Sequence, residues 1–158
     1  MDKYPMTKSG YDKLSAELTQ LKTVERQKII NAIAEAREHG DLKENAEYHS
    51  AREKQSFIEG RIKELEAITT RADVINPINF KESDSVKFGA TVSLIDEDTE
   101  EEKTFQIVGE FEGDLASGKI SLNSPIAKAM IGKKEEETVE VTTPTGTKFY
   151  EINKIEYK

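Results

Sequence analysis

Arg37-Glu38-His39-Gly40-Asp41-Leu42-Lys43-Glu44-Asn45 separates two long helical patterns, and its reading decides the fold. Gly40 tolerates the left-handed backbone conformation that commonly ends a helix. The chain must therefore turn here, at the tip of a helical hairpin. The turn holds two carboxylates, Asp41 and Glu44, three residues apart at an exposed position.

Working back from the turn, Thr7 or Ser9 can cap the first helix, since both are good N-cap types. Tyr11, Leu14, Leu18 and Leu21 recur at spacings of three and four, the seam of an amphipathic helix. Beyond Leu21 the seam loses its regularity. Val24 or Glu25, then Ile29, Ile30 and Ile33, continue an apolar face that has drifted. Ala32, Ala34 and Ala36 favour helix near the turn.

Working forward, Tyr48, Ala51, Gln55, Ile58, Ile62, Leu65 and Thr69 follow a near-heptad spacing, with Glu, Lys and Arg between them. Gly60 costs about 1 kcal/mol against Ala in a helix interior, and the periodicity continues through it. Two such helices joined by a short turn pack antiparallel as a coiled coil. About 25 residues in the first helix rise about 38 Å. One interface this narrow forms no compact core, so the hairpin must project from a second unit.

Asn76-Pro77-Ile78-Asn79 breaks the helical pattern, and the composition changes after it. Ala90–Ile95 and Lys103–Val108 are β-branched alternating runs on either side of the acidic turn Asp96–Glu102. Ile120-Ser121-Leu122 is a short strand. Ser124-Pro125 reads as an N-cap and first helical position, opening a helix Ile126–Ile131 that stops at Gly132. Thr138–Thr142 and Phe149–Tyr157 form a last hairpin around Pro144-Thr145-Gly146. The expected class is α+β, with residues 1–76 as the helical hairpin and 77–158 as the strand-rich domain.

Charged residues make up 34% of the 158, above the roughly 25% of an average domain, which suits long solvated helices. There are no cysteines, so disulfides and thiolate metal sites are excluded, and two histidines argue against a closed zinc site. No apolar run opens the chain and none approaches the roughly 18 residues of a membrane span, so a cytoplasmic protein is expected. The net charge of −8 is unevenly placed. Residues 8–73 carry 12 Lys+Arg against 13 Asp+Glu, and residues 80–158 carry 10 against 17. The acidic half repels phosphate backbones. Any contact with nucleic acid must come from the near-neutral half.

At the tip two readings compete. Asp41-Leu42-Lys43-Glu44 fits a capping box with Asp as the cap, in which Asp41 caps the second helix and Glu44 reaches back. The same spacing lets two carboxylates share a hard cation such as Mg²⁺, which takes oxygen ligands and keeps several waters. Two carboxylates on an exposed tip hold such an ion weakly, so the motif describes half of a site and a partner must supply the rest. Arg37 and Arg52 flank the tip, either as solvated helix charges or as a cationic patch for a phosphate-bearing strand. Tyr48 occupies a seam position, where packing is its first role.

The segment Ile33–Glu53 strongly resembles the tip of the Gre family of bacterial transcript cleavage factors. Pro5-Met6-Thr7, Gly10, Leu14 and Asn123-Ser124-Pro125-Ile126-Ala127 match as well, so the likeness spans essentially the whole chain. The resemblance implies an FKBP-like C-terminal domain, docked on the coiled coil at the rim of the secondary channel of RNA polymerase, and a monomeric factor. It implies a hairpin that reaches the polymerase active site. There Asp41 and Glu44 help hold the second Mg²⁺ and a water, the factor lending this part of the site rather than acting as an enzyme by itself. The nascent RNA 3′ end of a backtracked complex is then cut. The family's basic patch corresponds to Arg37 and Arg52. Its docking loop falls near Ser121–Pro125, with Ser121, Asn123, Ser124 and Pro125 as the contact residues. Relatives with altered tips inhibit the polymerase without cleavage, and the intact Asp41/Glu44 pair favours cleavage over inhibition. A prolyl isomerase is the fold-analogy alternative, but its pocket would have to be lined with aromatics.

Overall fold

The structure is a computed structural model that describes residues 2–41 and 45–158. Contacts divide it into two units, one of residues Tyr11–Ala72, the other of Asp2–Gly10 and Asp73–Lys158. Residues Asp2–Gly10 thus belong with the strand-rich unit, although the sequence places them at the head of the hairpin.

Strand β1 (Tyr4–Thr7) leads directly into helix α1 (Lys8–Gln20). Thr7 is the cap, since its Oγ1 accepts the Gly10 N–H at 3.1 Å. A π-helical segment, Leu21–Glu25, joins α1 to α2 (Arg26–Arg37) without a break. This segment explains the drifting seam. Heptad spacing carried on from Leu14, Leu18 and Leu21 would fall on Glu25 and then on Lys28, Ala32 and Glu35. The buried residues are Ile29, Ile33 and Ala36, each one position later. A π-turn takes up one additional residue, so it returns the apolar face to the partner helix.

Helix α3 (Ala46–Thr70) buries Ala51, Ile58, Ile62, Leu65 and Ile68. Ile29 and Ile33 cluster with Ala51, Ile58 and Ile62, and Leu18, Leu21 and Tyr48 pack alongside. Two forked ion pairs tie the helices at their rims. Arg61 grips Glu17 through Nε at 2.9 Å and Nη2 at 3.1 Å. Arg26 grips Glu59 at 2.9 and 2.8 Å. The planar guanidinium fits a carboxylate in this two-point way, which fixes helix register better than a single lysine contact does. Lys22 reaches Glu66 at 3.4 Å.

The second unit is a five-stranded mixed sheet in the order β5-β4-β3-β7-β6. The strands are β3 (Thr91–Asp96), β4 (Glu102–Val108), β5 (Lys119–Ser121), β6 (Thr138–Thr143) and β7 (Gly146–Glu156). Only β4 and β5 run parallel. Helix α4 (Pro125–Met130) lies between β5 and β6 in the chain. Its Ala127 and Met130 join Val92, Leu94, Ile107, Val139 and Ile152 in the core of this unit. The α+β class stands, with the expected strands displaced by a few residues at their ends. A second sheet of β1 and β2 (Ala72–Ile75) is an addition to the sequence expectation. No helix among the described residues is long and apolar enough to cross a membrane.

Candidate functional site

The tip is built from the two helix ends. Helix α2 ends at Arg37, and the next backbone groups tighten the turn, with Glu38 N–H bonding Glu35 O and His39 N–H bonding Ala36 O, each at 3.1 Å. Gly40 follows at φ +114°, a conformation that L side chains rarely adopt. Asp41 comes directly after it and is exposed.

Of the capping box expected over Asp41–Glu44, Glu44 lies outside the described residues, and the assignment of Asp41 as the cap of α3 is corrected by the structure. Helix α3 begins at Ala46, and its cap is Asn45, whose side-chain oxygen accepts the Tyr48 N–H at 3.0 Å. Asn and Asp cap about equally well, so the residue next to the first helical position takes the role. Asn45 Nδ2 also donates to Ala36 O at 2.6 Å, across to the last turn of α2. Asn45 lies inside the deciding stretch, yet the sequence reading assigned it nothing. The signal was available in its residue type, directly ahead of Ala46-Glu47, where an acidic side chain in the first turn suits the helix dipole.

Asp41 lines an open concavity with His39, Asn45, Ala46 and Glu47. His39 Nδ1 stands 3.4 Å from Glu47 Oε2. Glu44, the second expected carboxylate, lies outside the described residues. Asp41 has the hard oxygen donors that Mg²⁺ prefers and the exposure to share them. Among the described residues no group of three His, Cys, Asp or Glu stands close enough to hold a metal ion. A single carboxylate supplies at most two of the oxygens that such an ion takes.

Arg37 is exposed at the end of α2. Its guanidinium carbon lies 5.9 Å from the centre of the Tyr48 ring, a cation–π distance. Tyr48 thus packs on the helix interface and also backs Arg37. Arg52 is exposed one turn beyond Tyr48, and residues four apart share a helix face. The two arginines accordingly flank the tip from different helices.

Ser121, Asn123, Ser124 and Pro125 form the turn from β5 into α4. Ser124 Oγ donates to Ser121 O at 2.7 Å and accepts the Ala127 N–H at 3.3 Å. Ser121 Oγ accepts the Asn123 N–H at 3.1 Å. The two serines hold the turn, while Asn123 and Pro125 face solvent.

These features define an α+β protein with an N-terminal helical hairpin and a strand-rich unit. Residues 4–74 match the model of the transcription elongation factor N-terminal domain, and residues 81–157 that of the GreA/GreB transcription elongation factor C-terminal domain. The chain is 66% identical over 157 residues to transcription elongation factor GreA of Ruegeria pomeroyi, and 61% identical to that of Paracoccus denitrificans, with 99% of each chain covered in both cases. It also aligns with the solved structure of GreA factor homolog 1 (Gfh1) of Thermus thermophilus, 26% identical, covering 98% of this chain and 99% of that one, with a TM-score of 0.43. The chain belongs to the GreA/GreB family of transcription elongation factors.

Proposed function

We propose that this protein rescues backtracked RNA polymerase by stimulating the polymerase's own cleavage of the nascent RNA 3′ end. The observation that carries this is Asp41, an exposed carboxylate held between the last turn of α2 and the cap of α3. A carboxylate so placed can enter another protein's site and complete it. Family membership supplies the partner, a transcribing RNA polymerase.

Asp41 and Glu44 supply oxygens to a Mg²⁺ shared with the polymerase active site. When bound, that ion stabilises negative charge developing on the scissile phosphate. Asp41 and Glu44 would also help hold the attacking water. Arg37 and Arg52 lie along the extruded RNA and take its phosphates, which positions the strand without reading its bases. Asn123 and Pro125, on the turn braced by Ser121 and Ser124, dock on the coiled coil at the secondary-channel rim. The factor acts as a monomer in the cytoplasm and contributes part of a site, while the polymerase is the enzyme.

The test is incubation with a halted, backtracked elongation complex and a gel of the released RNA. Release well above that of polymerase alone is expected. Release at the polymerase's own rate would overturn the proposal.

A further inference from the structure

The Ala36 carbonyl receives two donors, His39 N–H at 3.1 Å from the chain leaving α2 and Asn45 Nδ2 at 2.6 Å from the chain entering α3. Carbonyls in the last turn of a helix lack intrahelical partners, and a carbonyl oxygen has two lone pairs to offer. Both ends of the tip loop therefore converge on one atom of a residue only 3% exposed. The other end of the Asn45 amide is fixed as well, because its oxygen holds the Tyr48 N–H at 3.0 Å. One planar group thus bonds to α2 and α3 at once, and it spans the loop that carries Asp41.

We propose that Asn45 is a positioning residue for the Asp41 carboxylate, an inference that rests on the cleavage reading above. Capping alone does not require asparagine, since Asp, Ser and Thr also serve. Spanning the loop does. An aspartate keeps the acceptor and has no donor for Ala36 O. A serine hydroxyl has a donor on the same atom that accepts, and that atom sits closer to the backbone. Asp41 and Asn45 line the same open concavity, so a fixed Asn45 bounds one side of the space that the Asp41 carboxylate occupies. Asp41 is bounded on its other side by the turn at Gly40. A shared metal shell needs its oxygens placed to well under 1 Å, and displacements of that size cost up to about 10²-fold in rate.

The experiment compares wild type with Asn45→Asp, Asn45→Ser and Asp41→Asn. Helix content, competition with wild type for polymerase, cleavage rate on a backtracked complex and the Mg²⁺ concentration for half-maximal cleavage are measured for each. Asn45→Asp and Asn45→Ser both keep a cap and differ in charge, so agreement between them removes charge as the cause. Both are expected to keep helix content and polymerase competition, to lose about tenfold or more in cleavage rate, and to need several times more Mg²⁺. A merely structural cap would lower rate in step with helix content and leave the Mg²⁺ dependence unmoved, which would overturn the inference. Wild-type rate and Mg²⁺ dependence in both Asn45 variants, with cleavage lost in Asp41→Asn, would overturn it while the cleavage reading stands. Normal cleavage by Asp41→Asn would overturn both.

Discussion

The carboxylate of Glu112 occupies the space that a side chain on Gly10 would need. It accepts the Thr7 N–H at 3.0 Å and the Gly109 N–H at 2.7 Å, and the Thr7 hydroxyl also bonds to it. A Cβ built on Gly10 would overlap its Oε1. The first turn of α1 is thereby fastened to the loop after β4 by an acid 105 residues away from Thr7. Gly10→Ala must expel this carboxylate or move the helix. A loss of about 1–3 kcal/mol in urea unfolding is expected, the range for overpacking. Repeating the substitution in a Glu112→Ala background should cost clearly less, because the two positions share one space. Additive losses would mean that Gly10 matters for its backbone alone.

The reassigned cap makes a second expectation. Asn45→Ala removes the bond to the Tyr48 N–H and the bond to Ala36 O together. A cost of about 1–2 kcal/mol follows from the cap alone. Asp41→Ala, outside α3, should cost less than Asn45→Ala. Thermal melts followed by circular dichroism compare the two. A larger loss at Asp41 than at Asn45 would restore the capping box.

Asp96 begins the acidic turn after β3 and is 3% exposed. The Asp98 N–H at 2.9 Å holds its carboxyl below the usual aspartate range, helped by the Thr99 N–H and by Lys148 and Lys103, while burial opposes the shift. A carboxyl whose folded pKa is depressed stabilises the fold above its unfolded pKa, here 3.8. That contribution is lost as pH falls through the lower folded value. Asp96→Asn should therefore lower Tm at pH 7 and lose less Tm than wild type as pH falls below 3.8. Parallel Tm curves across that window would contradict the assignment.

Arg37 and Arg52 should act through charge rather than shape. Replacing both with Ala is expected to weaken crosslinking of the RNA 3′ end to the hairpin for every sequence tested. The deficit should shrink as salt rises, since a screened contact has less to lose. The Mg²⁺ requirement should not move. Equal crosslinking by wild type and the double variant at low salt would leave the arginines as solvated helix charges.

Most of the fold was legible because its signals are local. The Leu14-Leu18-Leu21 seam, the Ser124-Pro125 helix start and the alternating runs of β3 and β4 each state their element within a few residues. The irregularity after Leu21 was visible too, but a drift in phase does not say whether the helix stops, kinks or takes up an extra residue. That is settled by where α3 places Ile58 and Ile62 against Ile29. Strands β1 and β2 were missed because each is four residues long and pairs with a segment far away in the chain. The Thr7–Glu112 bonds were invisible for the same reason. At the tip, two adjacent segments both offered good cap residues, and sequence spacing favoured Asp41 with its Glu44 echo. The choice of Asn45 depends on the approach of the Ala36 carbonyl, a contact between two helices.

The central claim is that Asp41 is a ligand and not a cap, and Asp41→Asn separates these roles. Asparagine preserves size and an acceptor oxygen able to cap, and it is a poor Mg²⁺ ligand. The measurement is the rate of RNA 3′-fragment release from a halted, backtracked elongation complex, with competition for polymerase measured alongside. Stimulated release should fall to the level of polymerase alone while competition persists. Wild-type release by Asp41→Asn would contradict the account.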